Sequence, residues 1–365
     1  MNKFASVTLI VLVFALSAFS QKLGKPTLTP SPLTPTQQKT LQEGVKLHDE
    51  KKYEEAIAKY KSILDENPEC VAAMYELALT LEHKGEKLAS MELANKGTKY
   101  ISPELPLFYV LIANNLDDLG KPDDAIKIYL DGIKILEGNK DFGSYRASLE
   151  FNLGVTYLRQ KKYTEARTVL KNAVEDNYSY PSPHFLLSYV YSGTKYKIPA
   201  FLAAARFISL EFSTQRTGTA VGIITEVLKP AAKDPKTGNI NIFMDMNAPK
   251  DEGDFGIFDL LLGTLTTVRG DDDKGKSDNQ MFIEAISSVI AILAEDKKMQ
   301  KTFIGKNYVP FMSDLKKNGH IDALGNMILY IKDNKNADAA KWVAANDAKL
   351  SAFLKWAKEY QLPAK

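Results

Sequence analysis

The sequence has only one cysteine, Cys70, in 365 residues, so no disulfide can form within a chain and packing must hold the fold. It also has little net charge, because 47 basic and 45 acidic residues leave +2, too weak a field to gather nucleic acid or anionic lipid. It contains no G-x-S-x-G element, P-loop, dinucleotide fingerprint or H-E-x-x-H element. These absences disfavour a nucleic-acid role and predict no catalytic residue, cofactor or metal.

Long hydrophobic runs are also scarce, and the clearest one is N-terminal. The run VTLIVLVFAL follows Lys3 and precedes the small residues Ala18 and Ser20, which is the pattern of a secretory signal peptide. At roughly ten residues it is shorter than the ~20 needed to span a bilayer. We therefore predict a signal peptide at residues 1–20, cleaved after Ser20, with export to a periplasm or the medium and no membrane span in the mature chain.

Residues 21–36 form a proline- and threonine-rich linker with few large apolar side chains. Such a composition favours an extended tether over a helix.

Internal repetition is the strongest feature of the chain after this linker. The stretch LQEGVKLHDEKKYEEA, from residue 41, aligns with FNLGVTYLRQKKYTEA, from residue 151, so that Gly44 matches Gly154 and Ala56 matches Ala166. In each copy small or apolar residues recur at i, i+3, i+4 and i+7 in two stretches separated by a polar turn. This pattern predicts an antiparallel pair of helices.

These residues resemble the tetratricopeptide repeat. Small residues recur where the two helices of each repeat would cross, with spacings of 34, 35, 41 and 34 residues: Ala56, Ser90, Ala125, Ala166 and Ala200. The consensus tryptophan is missing from every copy, and the terminal proline is in place only as Pro68. The resemblance implies an all-α protein, a right-handed superhelix of about five repeats over residues 37–213, followed by a mostly helical C-terminal module at 214–365.

The resemblance also implies a concave groove lined by the first helix of each repeat. The groove residues it predicts are Tyr75, Leu79, His83, Asn114, Asp117, Phe151, Arg159, Phe185 and Tyr189. A groove of this mixed character suits an extended peptide or a helix of another protein. An alternative is that the C-terminal module folds into the groove and covers these aromatic residues. A carboxylate clamp is not expected, because Leu41 and Val45 occupy the positions of its first Lys and Asn.

Two acidic regions could in principle bind a metal. His48 and His83 with neighbouring carboxylates recur at the repeat period, but polar residues are also expected at turns between helices. The stretch at residues 238–256 contains Asp251, Glu252 and Asp254, yet Pro249 and Lys250 interrupt any calcium-loop spacing. We interpret both regions as solvated turns or connectors.

The favoured hypothesis is an exported, non-enzymatic scaffold that binds a protein or peptide in the groove. One alternative is an enzyme, possibly metal-dependent, with its site in the C-terminal module. Another is a structural homo-oligomer in which the C-terminal helix, with Trp342, Phe353 and Trp356, enters the groove of a second copy.

Overall fold

The computed structural model describes residues 23–138, 142–231, 236–237, 239–240, 250–268, 270 and 273–363. Within these ranges the regular structure is helical and contains no strand, and an isolated bridge joins Leu28 and Tyr100. The all-α prediction is confirmed for this part of the chain. The predicted signal peptide lies outside the described residues, as do residues 238 and 241–249 of the acidic connector.

The chain divides into two compact units, one ending at Val169 and the other beginning at Leu170. The first unit contains the helices α1 Pro35–Asp49, α2 Tyr53–Glu66, α3 Val71–His83, α4 Lys87–Gly97, α5 Leu105–Asp118, α6 Pro122–Leu136 and α7 Gly143–Arg159. The division falls within α8, Tyr163–Asp176. The predicted boundary at residues 213 and 214 concerns where the repeats end and stays a prediction.

The second unit continues with α9 Pro181–Gly193, α10 Lys197–Leu210, α11 Gln215–Val227, α12 Gly256–Thr267 and α13 Asp278–Glu295. A 3₁₀ turn at Met299–Lys301 precedes α14 Phe303–Asn307, α15 Val309–Lys317, α16 Ile321–Lys332, α17 Ala337–Ala345 and α18 Asp347–Glu359. Ser277 caps α13, because its side chain accepts a hydrogen bond from the backbone N–H of Gln280.

The five predicted repeats correspond to the helix pairs α1/α2, α3/α4, α5/α6, α7/α8 and α9/α10. A residue with positive φ lies in the turn of each pair: Lys51, Gly85, Gly120, Lys161 and Lys195. The N–H that follows it donates to the carbonyl five residues earlier, as from Lys162 to Tyr157 at 2.9 Å. This closure satisfies carbonyls at the end of the first helix and reverses the chain in the same way each time.

The small residues at the helix crossings are needed for space. A Cβ added to Gly44 would lie 2.5 Å from the Tyr60 ring, and one added to Gly132 would lie 2.9 Å from the Tyr109 ring. Tyr60 and Tyr109 are fully buried. A larger residue at either glycine would therefore overpack the crossing, at a cost of about 1 to 3 kcal/mol.

The proline-rich leader is extended and is held against the first repeats. The backbone N–H of Thr27 donates to Lys99 O at 2.9 Å, and that of Ile101 donates to Leu28 O at 2.8 Å. The N–H of Ser31 donates to Glu69 O at 3.2 Å. From Thr27 to Ser31 this segment thus lies along two inter-repeat loops and does not leave the unit as a free tether.

Candidate functional site

A polar pocket of about 220 Å³ lies in the first unit, against the first helices α3, α5 and α7. Three predicted groove residues lie in its wall, namely Asn114, Asp117 and Arg159. The wall also contains five polar residues that were not among the predicted groove residues: Glu82, Asp118, Tyr129, Asn152 and Thr156. The first helices thus bring together polar side chains from three successive repeats.

Asp117 organises the side of the pocket between α5 and α7. Its Oδ2 accepts a hydrogen bond from Thr156 Oγ1 at 2.9 Å. The same oxygen forms an ion pair with Arg159 Nη1 at 2.7 Å. The Asp117 side chain is 9% exposed, whereas that of Arg159 is 60% exposed. The ion pair with Asp117 therefore holds one end of the Arg159 side chain, while more than half of that side chain is exposed to solvent.

Tyr129 fixes Asn114 from the second helix of the same repeat. The tyrosine is almost fully buried and its hydroxyl donates to Asn114 Oδ1, so this amide is left with Nδ2 as its donor group. Burial raises the pKa of Tyr129 well above its ordinary value, and the phenol therefore remains a donor at neutral pH. Asn152 is oriented similarly, because its Nδ2 donates to Ser148 O at 3.0 Å and its Oδ1 remains as an acceptor.

Glu82 contributes a half-buried carboxylate at the end of α3. Burial is the largest influence on it and raises its pKa, His83 and Lys87 act in the opposite direction, and Asp118 acts in the same direction as burial. Asp118, which also lies in the wall, is itself paired with Lys87 Nζ at 2.7 Å. The pocket thus contains paired charges at its edges and an additional carboxylate at Glu82.

The other predicted groove residues of α3 lie outside this pocket. Tyr75 contacts the edge of Phe108, with ring centroids 5.8 Å apart, and both Tyr75 and Leu79 pack against the main core of the unit. Burial raises the pKa of Tyr75 to about 12. Tyr75 and Leu79 therefore contribute to the packing of the first unit more than to the exposed surface of the predicted groove.

His83 is exposed and stacks edge-on with His48, their ring centroids being 4.8 Å apart. The Thr80 hydroxyl donates to Glu76 O, so His48 Nδ1 must donate to Thr80 Oγ1 at 2.8 Å. His83 Nδ1 lies 2.9 Å from Leu79 O. Among the residues that the structure describes, no group of three or more His, Cys, Asp or Glu side chains is arranged to hold a metal ion.

The remaining predicted groove residues differ in how far their side chains are exposed. Phe151 is half-buried on α7. In the second unit, Phe185 packs on Phe207 at 5.0 Å and has the Arg216 guanidinium 5.5 Å from its ring centroid. Tyr189, in the same unit, is 56% exposed. Phe185 is therefore a packing residue of its own unit, and Tyr189 is the more accessible of the two.

A larger cavity, of about 800 Å³, lies in the second unit among the ends of α11, α12, α13 and α16. Asn279 and Asn336 in its wall bond to each other through both amides, at 2.9 and 3.0 Å. Among the described residues, no helix is both apolar enough and long enough to span a bilayer. The enzymatic and homo-oligomer alternatives stay predictions.

The sequence analysis did not predict that Asn152, Thr156, Tyr129 and Glu82 line this pocket. Asn152 and Thr156 are one helical turn apart on α7, so the repeat periodicity alone could have placed them on a common face. Tyr129 belongs to a second helix, which the repeat pattern assigns to the core, and no sequence signal indicates that its hydroxyl reaches Asn114.

Comparison with known families identifies the repeat. Residues 49–103 and residues 148–177 match models described as tetratricopeptide repeat. No curated protein matches the chain. The two matches confirm the resemblance on which the sequence analysis depended.

Several solved structures are similar at low identity. A thermophilic TPR protein of Thermus thermophilus is 19% identical, with 52% of this chain and 98% of that one covered and a TM-score of 0.41. PilF of Pseudomonas aeruginosa is 15% identical, with 52% of this chain and 91% of that one covered and a TM-score of 0.40. PilW, a type IV pilus biogenesis factor, is 12% identical, with 73% of this chain and 98% of that one covered and a TM-score of 0.39. TM-scores of this size do not establish a shared function, so the assignment depends on the two repeat matches.

Proposed function

Because this chain is a tetratricopeptide-repeat protein, we propose that it is an exported scaffold that binds an extended segment of another protein on the face formed by α3, α5 and α7. Tetratricopeptide repeats are protein-binding modules, and this face presents a pocket of fixed polar groups. The observation that carries the proposal is the pocket in which Asn114, Asp117 and Arg159 meet.

The polar groups of the pocket match what a peptide offers. The Nδ2 of Asn114 suits a backbone carbonyl and the Oδ1 of Asn152 suits a backbone N–H, since each amide is already oriented by one hydrogen bond within the protein. Preorganised groups bind with a smaller loss of side-chain freedom than mobile ones.

Selection of random peptides on the purified chain tests the binding proposal. Val155 lines the pocket and is half-buried, so Val155→Trp should fill the pocket without removing a polar group. Leu130→Trp is the matched control, because Leu130 is 46% exposed on the second helix α6 and does not line the pocket. We expect peptides that bind the original chain and Leu130→Trp, and that bind Val155→Trp at least tenfold more weakly. Equal binding to all three proteins would refute the proposal.

Export is tested separately. Expression of the full sequence in a secretion-competent host should give a protein in the periplasmic or medium fraction whose first residue is Gln21. A cell-associated protein that retains Met1 would contradict this part of the proposal and leave the binding part unchanged.

A further inference from the structure

The charges of the pocket do not balance. Asp117 is paired with Arg159 and Asp118 is paired with Lys87, each at 2.7 Å. Within the part of the chain that the structure describes, the carboxylate of Glu82 forms no hydrogen bond or ion pair. With these two pairs matched, Glu82 is left as a carboxylate of the wall with no directly bonded cation, and its cationic neighbours are the exposed His83 and the already paired Lys87.

Partial burial makes this unmatched charge unfavourable in the free protein. An ionised carboxylate that is removed from water without a partner is destabilised, and a cation brought beside it restores the lost interaction. The guanidinium of Arg159 does not supply that cation, because its bond is to Asp117. A positively charged ligand group would therefore gain more here than an uncharged or acidic one.

The pocket is also small. Its volume of about 220 Å³ is less than the roughly 300 to 1,000 Å³ typical of small-molecule sites. It is suited to one side chain of a longer ligand. Asn152 Oδ1 adds a second acceptor to the same wall, and an ammonium or guanidinium group carries several donors.

We propose that this pocket receives a basic side chain, Lys or Arg, of the bound protein segment, and that Glu82 is its specificity-determining residue. This inference rests on the proposed function and adds the chemical class of the side chain that is recognised. It differs from capture of a terminal carboxylate, for which an unmatched carboxylate in the wall would be repulsive.

The test uses the full chain and four small probes, the N-acetyl amides of arginine, lysine, norleucine and glutamate. Chemical shifts of the side-chain N–H groups of Asn114 and Arg159 are followed as each probe is added. We expect saturable shifts with the arginine and lysine probes, and none with the glutamate probe at the same concentration. Glu82→Gln should weaken the basic probes about threefold to tenfold, as expected for loss of one partly screened charge.

Glu92→Gln is the control for general charge effects, because Glu92 is an exposed residue of α4 outside the pocket wall. It should leave the affinity for both basic probes unchanged. Equal shifts with the norleucine and arginine probes, or unchanged binding in Glu82→Gln, would overturn the inference. If peptides selected on the chain still required an open pocket in that case, the proposed function would stand and only the preference for a basic side chain would fall.

Discussion

Polar residues are used differently in the two units of this molecule. In the second unit, His184 and Arg206 are fully buried and their partners are internal. In the pocket of the first unit, Asn114, Asn152 and Glu82 retain groups that can bond to a ligand. The difference indicates that buried polar groups of the second unit bond within that unit, whereas those of the pocket keep the bonding groups that the proposed recognition would use.

The buried cluster of the second unit is built around an arginine. Arg206 Nη1 donates to Ala357 O at 2.7 Å and Nη2 donates to Tyr178 O at 3.3 Å. Its guanidinium lies 4.4 Å from the centroid of the Tyr178 ring and 4.5 Å from that of Phe311. The charge is therefore accommodated by carbonyl oxygens and aromatic faces, and α10 is joined to α18.

The largest expected effect comes from Arg206→Ala. This change would remove two aromatic contacts, open a cavity and leave Ala357 O without its side-chain donor, so the free energy of unfolding should fall by about 4 kcal/mol. Tyr178 O would keep its bond from His184 Nε2. Denaturant titration measures the effect, with the exposed Lys358→Ala as control. A loss below about 1 kcal/mol would show that the cluster does not hold the second unit.

The next expected effect is a dependence of the folding stability on pH that arises from His184. Its Nε2 lies 3.0 Å from Tyr178 O, a carbonyl that can only accept, so Nε2 carries the proton and Nδ1 accepts from the Tyr308 hydroxyl at 2.9 Å. Burial, with a smaller contribution from Arg206, lowers the pKa of His184 to about 3. The ring is therefore neutral in the folded protein.

The sign of the pH effect follows from that pKa. Between the unfolded value of about 6.5 and the folded value, only the unfolded chain binds the proton, so stability should fall as the pH falls. The contribution of this one group has a slope of about 1.4 kcal/mol per pH unit. Unfolding of the original chain and of His184→Gln should be compared from pH 7 to pH 4. Parallel curves would contradict the assignment.

Substitutions in the repeat turns should change the free energy of unfolding by a smaller amount, in opposite directions at Gly120 and Lys161. Gly120 and Lys161 both have positive φ, 74° and 60°, at the same place in successive repeats. Because a side chain is strained in this region, Gly120→Ala should destabilise by about 1 kcal/mol and Lys161→Gly should stabilise by up to about 1 kcal/mol. Thermal unfolding of the two variants measures this, and two changes of the same sign would contradict the expectation.

The smallest expected effect on stability is that of Glu82→Gln. The raised pKa of Glu82 means that its ionised form is disfavoured in the folded state, so the amide should change the free energy of unfolding at pH 7 by no more than about 0.5 kcal/mol. A large loss would show that Glu82 has a structural role, and the contrast between the two units would then weaken.

Periodicity was enough to predict antiparallel helix pairs, because small residues such as Ala56 and Ala166 must recur wherever two helices cross closely. The resemblance to the tetratricopeptide repeat extended this to five pairs and implied that Asn114, Asp117 and Arg159 lie on a common face. It could not predict the buried cluster of the second unit, since Arg206 and Ala357 are 151 positions apart and no repeat relates them. Nor could it predict that the leader bonds to Lys99 and Glu69, because backbone bonds of this kind leave no side-chain pattern.

The central claim is that the polar groups of the pocket contact a partner and those of the second unit do not. The most direct measurement is a side-chain amide spectrum of the full chain with and without the tightest peptide selected on it. Asn114 and Asn152 should shift, while Asn279 and Asn336, which bond to each other, should not. Shifts at Asn279 and Asn336 with none at Asn114 would contradict the account and place binding in the second unit.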